Sequence, residues 1–160
     1  MTIKVGSKLP RVNLQLMGAN GVETISSDDL FGGKKVVLFA LPGAFTPTCS
    51  ASHLPGFVAS SADILARGVD LIVCLSVNDA FVMDAWGKQQ NVGESVMMIA
   101  DGSAHFTRAV GLEVDRDAAG MGIRSQRYAM VIDDGVVKML NVEAPAKFEV
   151  SDAQTVLSTL

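Results

Sequence analysis

The chain has 160 residues, 49% hydrophobic and 19% charged, with a formal net charge of −4. This is the composition of an ordinary globule, one domain over residues 1–160 with a sizeable core, and it excludes a disordered chain. The negative charge and the lack of any basic run exclude a nucleic-acid surface, and no stretch approaches the roughly 18 apolar residues of a membrane span.

In chain order, Val12, Leu14, Leu16, Val22 and Thr24 alternate weakly around Gly18-Ala19-Asn20-Gly21, and the Asn-Gly turn predicts a hairpin. Ser26 or Ser27 caps a short helical turn through Leu30-Phe31, which Gly32-Gly33 ends. Residues 35–41 are a continuous apolar run with β-branched members, the mark of a strand buried on both faces. A helix follows from about Thr46 to Arg67, kinked near Pro55-Gly56 and stopped by Gly68. Residues 69–77 predict a second buried strand. Asn78 or Asp79 then caps a helix to about Gln90, with Phe81, Val82, Ala85 and Trp86 on its core face. Val96–Ala100 is a short strand, and Ser103–Val110 a helix closed by Gly111. Gln126–Ile132 and Val136–Val142 are strands joined at Asp133-Asp134-Gly135, and Ser151 caps a final helix. Behind its N-terminal β-hairpin extension, this order implies an α/β sandwich with a mixed sheet, in which sites form at the carboxyl ends of strands.

Cys49 lies just past one such end. It has no second cysteine in a CxxC, and neither His53 nor His105 stands at metal-ligand spacing to a cysteine, so no zinc site is expected. The opening Met1-Thr2-Ile3-Lys4-Val5-Gly6 has no signal-peptide pattern, and with two cysteines the expected home is a reducing cytoplasm. The spacing puts Cys49 in the first turn of a helix, where unpaired N–H groups and partial positive charge favour thiolate over thiol. Such sites lower a cysteine pKa from about 8.5 into a range of about 3.5–7.5. The thiolate is the nucleophile, so the chemistry expected of Cys49 is nucleophilic.

Pro42-Gly43-Ala44-Phe45-Thr46-Pro47-Thr48-Cys49-Ser50 resembles the active-site signature of the peroxiredoxins. His53-Leu54-Pro55-Gly56-Phe57, Cys74 to Phe81, Arg127-Tyr128-Ala129-Met130-Val131 and Leu140-Asn141-Val142-Glu143 narrow the resemblance to the type II or type 5 branch. It extends over nearly the whole chain and implies a thioredoxin-like three-layer sandwich. The implied reaction is reduction of hydroperoxides, with Cys49 passing to a sulfenic acid and no metal or organic cofactor. Implied roles follow for three more residues. Thr46 hydrogen-bonds thiolate and peroxide, Pro42 shields the thiolate, and Arg127 holds both. A homodimer with contacts beside the active site is also implied.

Other readings stand beside these. Thr46 also suits an N-cap, Pro42 strand punctuation, and Arg127 a solvated edge charge. Arg124 is expected on the surface, and His53, four residues beyond Cys49, as a supporting rather than a general-base histidine. Trp86 and Phe81 are expected in the core, and Phe45 at the pocket or a dimer contact. Cys74 is either a buried inert thiol or a resolving cysteine; its separation of 25 residues from Cys49 resembles the cysteine pair of plant-like type II members. A disulfide needs Cα atoms within about 7 Å, so the second reading requires local unfolding. No cysteine follows Glu143, unlike in some type 5 relatives, so an external thiol is the expected reductant: glutathione with glutaredoxin, or thioredoxin. Two further function classes are a peroxide-oxidised sensor or scaffold without efficient turnover, and a disulfide oxidoreductase. The second is disfavoured because Thr46 stands where a CxxC would have its first cysteine.

Overall fold

A computed structural model describes all residues, Met1–Leu160. The centre of the fold is β3 (Lys35–Ala40), whose residues alternate strictly between two cores. Val37 and Phe39 face one side; Val36, Leu38 and Ala40 face the other. The continuous apolar run thus reflects burial on both faces, with the period of two hidden by having no polar side. β4 (Leu71–Ser76) lies parallel to β3 and divides likewise, with Ile72 and Cys74 on the first side and Val73 and Leu75 on the second.

Around this pair the sheet has seven strands in the order β2-β1-β5-β4-β3-β8-β9. β5 (Met97–Ala100) is parallel to β4, while β8 (Tyr128–Asp133) is antiparallel to β3 and joined by a hairpin to β9 (Val136–Val142). Asp134 and Gly135 at its tip both have positive φ, 48° and 76°, as a two-residue I′ turn requires. The front hairpin, β1 (Asn13–Gly18) and β2 (Gly21–Ser26), extends the opposite edge, with Gln15 of β1 paired to Ala100 of β5.

Helices cover both faces. Phe57 and Ile64 of α2 (Leu54–Ala66), Met83 and Trp86 of α3 (Ala80–Gln89) and Val156 of α5 (Ala153–Ser158) fill the first core. Leu30 and Phe31 of α1 (Ser27–Phe31) and Phe106 of α4 (His105–Ala109) fill the second. The arrangement is a three-layer α/β sandwich with a mixed sheet.

Several local expectations change. Phe81 is not core: it is 67% exposed, because the buried stripe of α3 runs through Ala80, Met83, Trp86 and Gly87, one residue round from the expected face. The cap of α5 is Asp152, which accepts from the Thr155 N–H, and not Ser151. A two-stranded sheet of β6 (Glu113–Asp115) and β7 (Ile123–Ser125), with a 3-10 turn at Asp117–Ala119 between its strands, was not foreseen from the sequence.

Asp79 is the N-cap of α3, its Oδ1 accepting from the Val82 N–H at 2.9 Å. Asp79→Ala leaves that donor without its side-chain partner and is expected to lower stability by about 1 kcal/mol. A fall in the urea midpoint with an unchanged slope is the result that checks it.

Candidate active site

Beyond β3 the chain turns through Pro42–Thr46 into the site. Phe45 takes a positive φ of 65°, unusual for an aromatic residue, and the loop is fastened on both sides of it. The Ala44 N–H donates to Asn78 Oδ1 at 3.0 Å, and Asn78 Oδ1 also accepts from the Ser76 hydroxyl at 2.6 Å, so the end of β4 holds the loop. The Thr46 hydroxyl donates to the Gly43 carbonyl at 2.7 Å.

The first helical turn starts at Thr46, whose carbonyl accepts from the Ser50 N–H at 3.0 Å. Pro47 has no N–H, which leaves Thr48 and Cys49 as the amides with no helical carbonyl behind them. Cys49–His53 then forms a π-helical turn, with the Leu54 N–H reaching back to the Cys49 carbonyl. Pro55 supplies the reason. It has no N–H for the Ala51 carbonyl, and its ring would crowd that carbonyl in a regular α-turn. Trp86 Nε1–H secures the same turn by donating to Ser50 Oγ at 3.0 Å.

Cys49 is fully buried. Its Sγ receives a hydrogen bond from Arg127 Nη2 at 3.1 Å. Arg127 Nη1 lies 2.8 Å from His53 Nδ1, and His53 Nε2 lies 3.0 Å from the Ser151 carbonyl oxygen. These two contacts fix the imidazole. A guanidinium can only donate, so Nδ1 accepts; a carbonyl can only accept, so Nε2 carries the proton. His53 is therefore neutral, and burial followed by the charge of Arg127 lowers its pKa to about 3. Phe39 and Phe148 each flank the ring at 5.0 Å between centroids.

Arg127 also opens onto a cavity of about 740 Å³, whose lining includes Pro42, Thr46, Pro47, Arg116 and Phe148. Cys49, Arg127, Thr46 and Pro42 thus meet at one place. Thr46 differs in detail from the role the resemblance implied. Its proton is committed to Gly43, and it makes no hydrogen bond to Sγ, so towards a ligand it offers lone pairs. Pro42 lines the cavity, and its carbonyl accepts from Arg124 Nη1 at 3.3 Å. Arg124, expected at the surface, is half-buried for that reason. Phe45 lies outside the cavity lining and leans on Trp86, 6.4 Å between centroids.

Cys74 stands on the same side of the sheet as Cys49, mid-strand and fully buried, paired in register with Phe39 and Met98. Burial pushes its thiol well above the usual cysteine range. Glu143 and Ser151 are the site's neighbours that the sequence did not place there: Ser151 was expected only as a helix cap, and Glu143 had no role. The only signal was the Leu140–Glu143 motif, which identified a resemblance without a chemistry.

A pH dependence follows from His53. Its folded pKa of about 3 lies below the ordinary 6.5. Between these values the unfolded chain binds a proton that the folded chain refuses. Stability is fully present above about pH 6.5 and falls by up to about 1.4 kcal/mol per pH unit on acidification towards 3. Urea unfolding at pH 7, 6 and 5, compared with His53→Asn, checks this; the variant should show a shallower slope in that window.

The Redoxin family model matches residues 4–157. Peroxiredoxin-2E, chloroplastic, of Arabidopsis thaliana is 47% identical over 99% of this chain and 70% of its own length. Peroxiredoxin-2C of the same plant is 44% identical over 99% and 98%. The crystal structure of reduced Prx3 from Vibrio vulnificus in complex with H2O2 superposes with a TM-score of 0.96 at 55% identity, covering 99% of both chains. The thioredoxin-like sandwich is thus the fold of solved relatives as well. The chain belongs to the redoxin family and, within it, to the peroxiredoxins, enzymes that reduce peroxides with a cysteine thiol.

Proposed function

We propose that the substrate is hydrogen peroxide or an organic hydroperoxide, attacked by Cys49 and recycled by an external thiol. The observation that carries this reading is the Arg127–Cys49 hydrogen bond at a buried sulfur beside an open cavity. The Vibrio relative's complex with H2O2 supports the substrate.

In this reading the Cys49 thiolate attacks the terminal peroxide oxygen. The S–O bond forms as the O–O bond breaks, and the departing oxygen leaves with the electron pair and takes up a proton, as water or an alcohol. Sulfur loses two electrons and the peroxide gains them. Charge moves from sulfur to the departing oxygen. Arg127 already lies against the sulfur, and with the free amides of the first helical turn it supplies fixed donors for both ends of that transfer. The Thr46 hydroxyl oxygen accepts a hydrogen bond from the O–H of the bound hydroperoxide, since its own hydrogen is directed to Gly43. Pro42, on the cavity wall, limits water at the thiolate.

Return to thiol requires two reducing equivalents. A first thiol displaces water from the sulfenic acid, giving a mixed disulfide, and a second releases Cys49. Cys74 is poorly placed to be the first. It sits in a central strand hydrogen-bonded on both sides, and opening such a strand costs close to the global stability. Glutathione with glutaredoxin, or thioredoxin, is the proposed reductant. Arg116 and Lys147 on the cavity lining suit glutathione, which carries a net negative charge.

A homodimer is proposed from two exposed aromatic residues, Phe81 in the first turn of α3 at 67% exposure and Phe45, which leans on Trp86 of that helix, at 49%. Sedimentation should give twice the chain mass for the wild type and a shift to monomer for Phe81→Glu.

Three variants test the reaction. Cys49→Ser should abolish peroxide turnover, and full turnover would overturn the reading. Arg127→Lys removes the planar pair of donors and should lower kcat/KM about 10²–10³-fold, the cost of losing one preorganised donor. Cys74→Ser should cycle like wild type with glutathione plus glutaredoxin or with thioredoxin. A single oxidation of Cys49 that neither system reverses would favour a sensor.

A further inference from the structure

We propose that Glu143 is a positioning residue for the peroxidase reaction, acting through Ser151 and His53 to hold Arg127 on the Cys49 sulfur. The proposal rests on the peroxidase reading of Cys49.

The residues form one continuous line. Glu143 follows β9 and is only 7% exposed. Its Oε2 accepts from the N–H groups of Glu149, Val150 and Ser151 at 2.9, 2.8 and 2.8 Å and from the Ser151 hydroxyl at 2.7 Å. Its Oε1 accepts from the Glu149 N–H at 2.9 Å. Burial raises the pKa of this carboxyl, but the hydrogen bonds from Ser151, Glu149 and Val150 outweigh it and hold the group below the ordinary value. The carboxylate therefore gathers the far end of the segment after β9 and fixes the backbone of Ser151. The Ser151 carbonyl then accepts from His53 Nε2–H at 3.0 Å, leaving Nδ1 as the acceptor for Arg127 Nη1 at 2.8 Å. With Nη1 occupied in this way, Nη2 is aimed at Sγ at 3.1 Å.

Loss of the carboxylate removes the acceptor shared by these amides and releases the Ser151 carbonyl. The His53 ring can then flip or take a proton on Nδ1. A flip takes the acceptor nitrogen away from Arg127 and sets a C–H there, and a proton on Nδ1 sets donor against donor; in either case the guanidinium loses its partner and must leave its present place. Asn141 also steadies this segment, donating from Nδ2 to the Val150 carbonyl at 2.9 Å, but it makes no hydrogen bond to Ser151 or His53.

A competing account gives Glu143 the role of closing the loop and nothing more. The two differ in sign. Glu143 is a negative charge near the site, so its simple neutralisation would favour the Cys49 thiolate. Loss of positioning would disfavour it, because the sulfur loses its guanidinium.

The test is the rate of Cys49 alkylation against pH in a Cys74→Ser background, read together with kcat/KM for H2O2. Glu143→Gln is expected to move the acid limb of the alkylation profile to higher pH by about one unit, tenfold in rate at a fixed pH on that limb. A fall of about tenfold in kcat/KM should accompany it. In a His53→Asn background, adding Glu143→Gln should change neither quantity more than about twofold, since the line is already cut. An acid limb that stays in place or moves to lower pH, with near-ultraviolet circular dichroism unchanged, overturns the proposal. So do effects that multiply in the double variant. Should Glu143→Gln not fold, Ser151→Ala removes only the hydroxyl bond and should shift the limb in the same direction by a smaller amount; no shift there also overturns it. Alkylation needs no peroxide, so the proposal can fail or stand whether or not Cys49→Ser abolishes turnover.

Discussion

The Cys49 sulfur is buried here with a single permanent cation against it, and the remainder of the site serves that contact. An unpaired anion in a protein interior is costly and reverts to its neutral form instead. Cys74, on β4 and on the same side of the sheet, has no such donor, and burial pushes its thiol up. Cys49 differs by having Arg127 Nη2 at 3.1 Å and a helix start at its own backbone. Arg127 is equally constrained. One arm of its fork meets sulfur and the other meets a histidine nitrogen that has been made an acceptor. A protonated histidine in that place would repel the arginine, so the low pKa of His53 belongs with the Arg127 contact.

The strand order is what brings these groups together. Ala40 of β3 pairs with Tyr128 of β8, so the residues that continue beyond that end of β3 and precede β8 lie side by side. Pro42 to Cys49 extend from the one and Arg127 precedes the other. A residue 78 positions away in the chain thereby becomes a hydrogen-bonding neighbour. The π-helical turn completes the approach by placing both Cys49 and His53 within reach of one guanidinium.

Much of this frame was legible in the residues themselves. The apolar run at 35–41 marked a strand buried on both faces, and Asn20-Gly21 and Asp134-Gly135 marked two hairpins, because each signal is local and has a local cause. Cys49 at a helix start was legible for the same reason. The nearness of Arg127 was not, since it depends on an antiparallel pairing across most of the chain; only the family resemblance supplied it. Errors of face and cap have equally physical causes. Both Phe81 and Met83 allow an apolar stripe on α3, and the choice falls to how the helix rolls on the sheet. Ser151 and Asp152 are both good caps; Ser151 is held by Glu143, and the cap passes to Asp152. Strands β6 and β7 have three residues each, too short for any period to show.

The segment from Ala144 to Phe148 has two demands on it that pull in opposite directions. It forms one wall of the cavity, and in the proposed reaction that cavity admits the peroxide and then the external thiol. It also leads into Ser151, whose carbonyl must stay within hydrogen-bonding distance of His53. A loop free enough for the first task would lose the second if it moved as a whole. The carboxylate of Glu143 separates the two by fastening only the far end, Glu149 to Ser151, and Asn141 adds a tie at Val150. Ala144 to Lys147 stay exposed, with no side-chain anchor of this kind. Phe148 lies between the two parts, its ring against both His53 and the guanidinium of Arg127. The acceptor that orients the histidine is thus fixed independently of the exposed part of the wall.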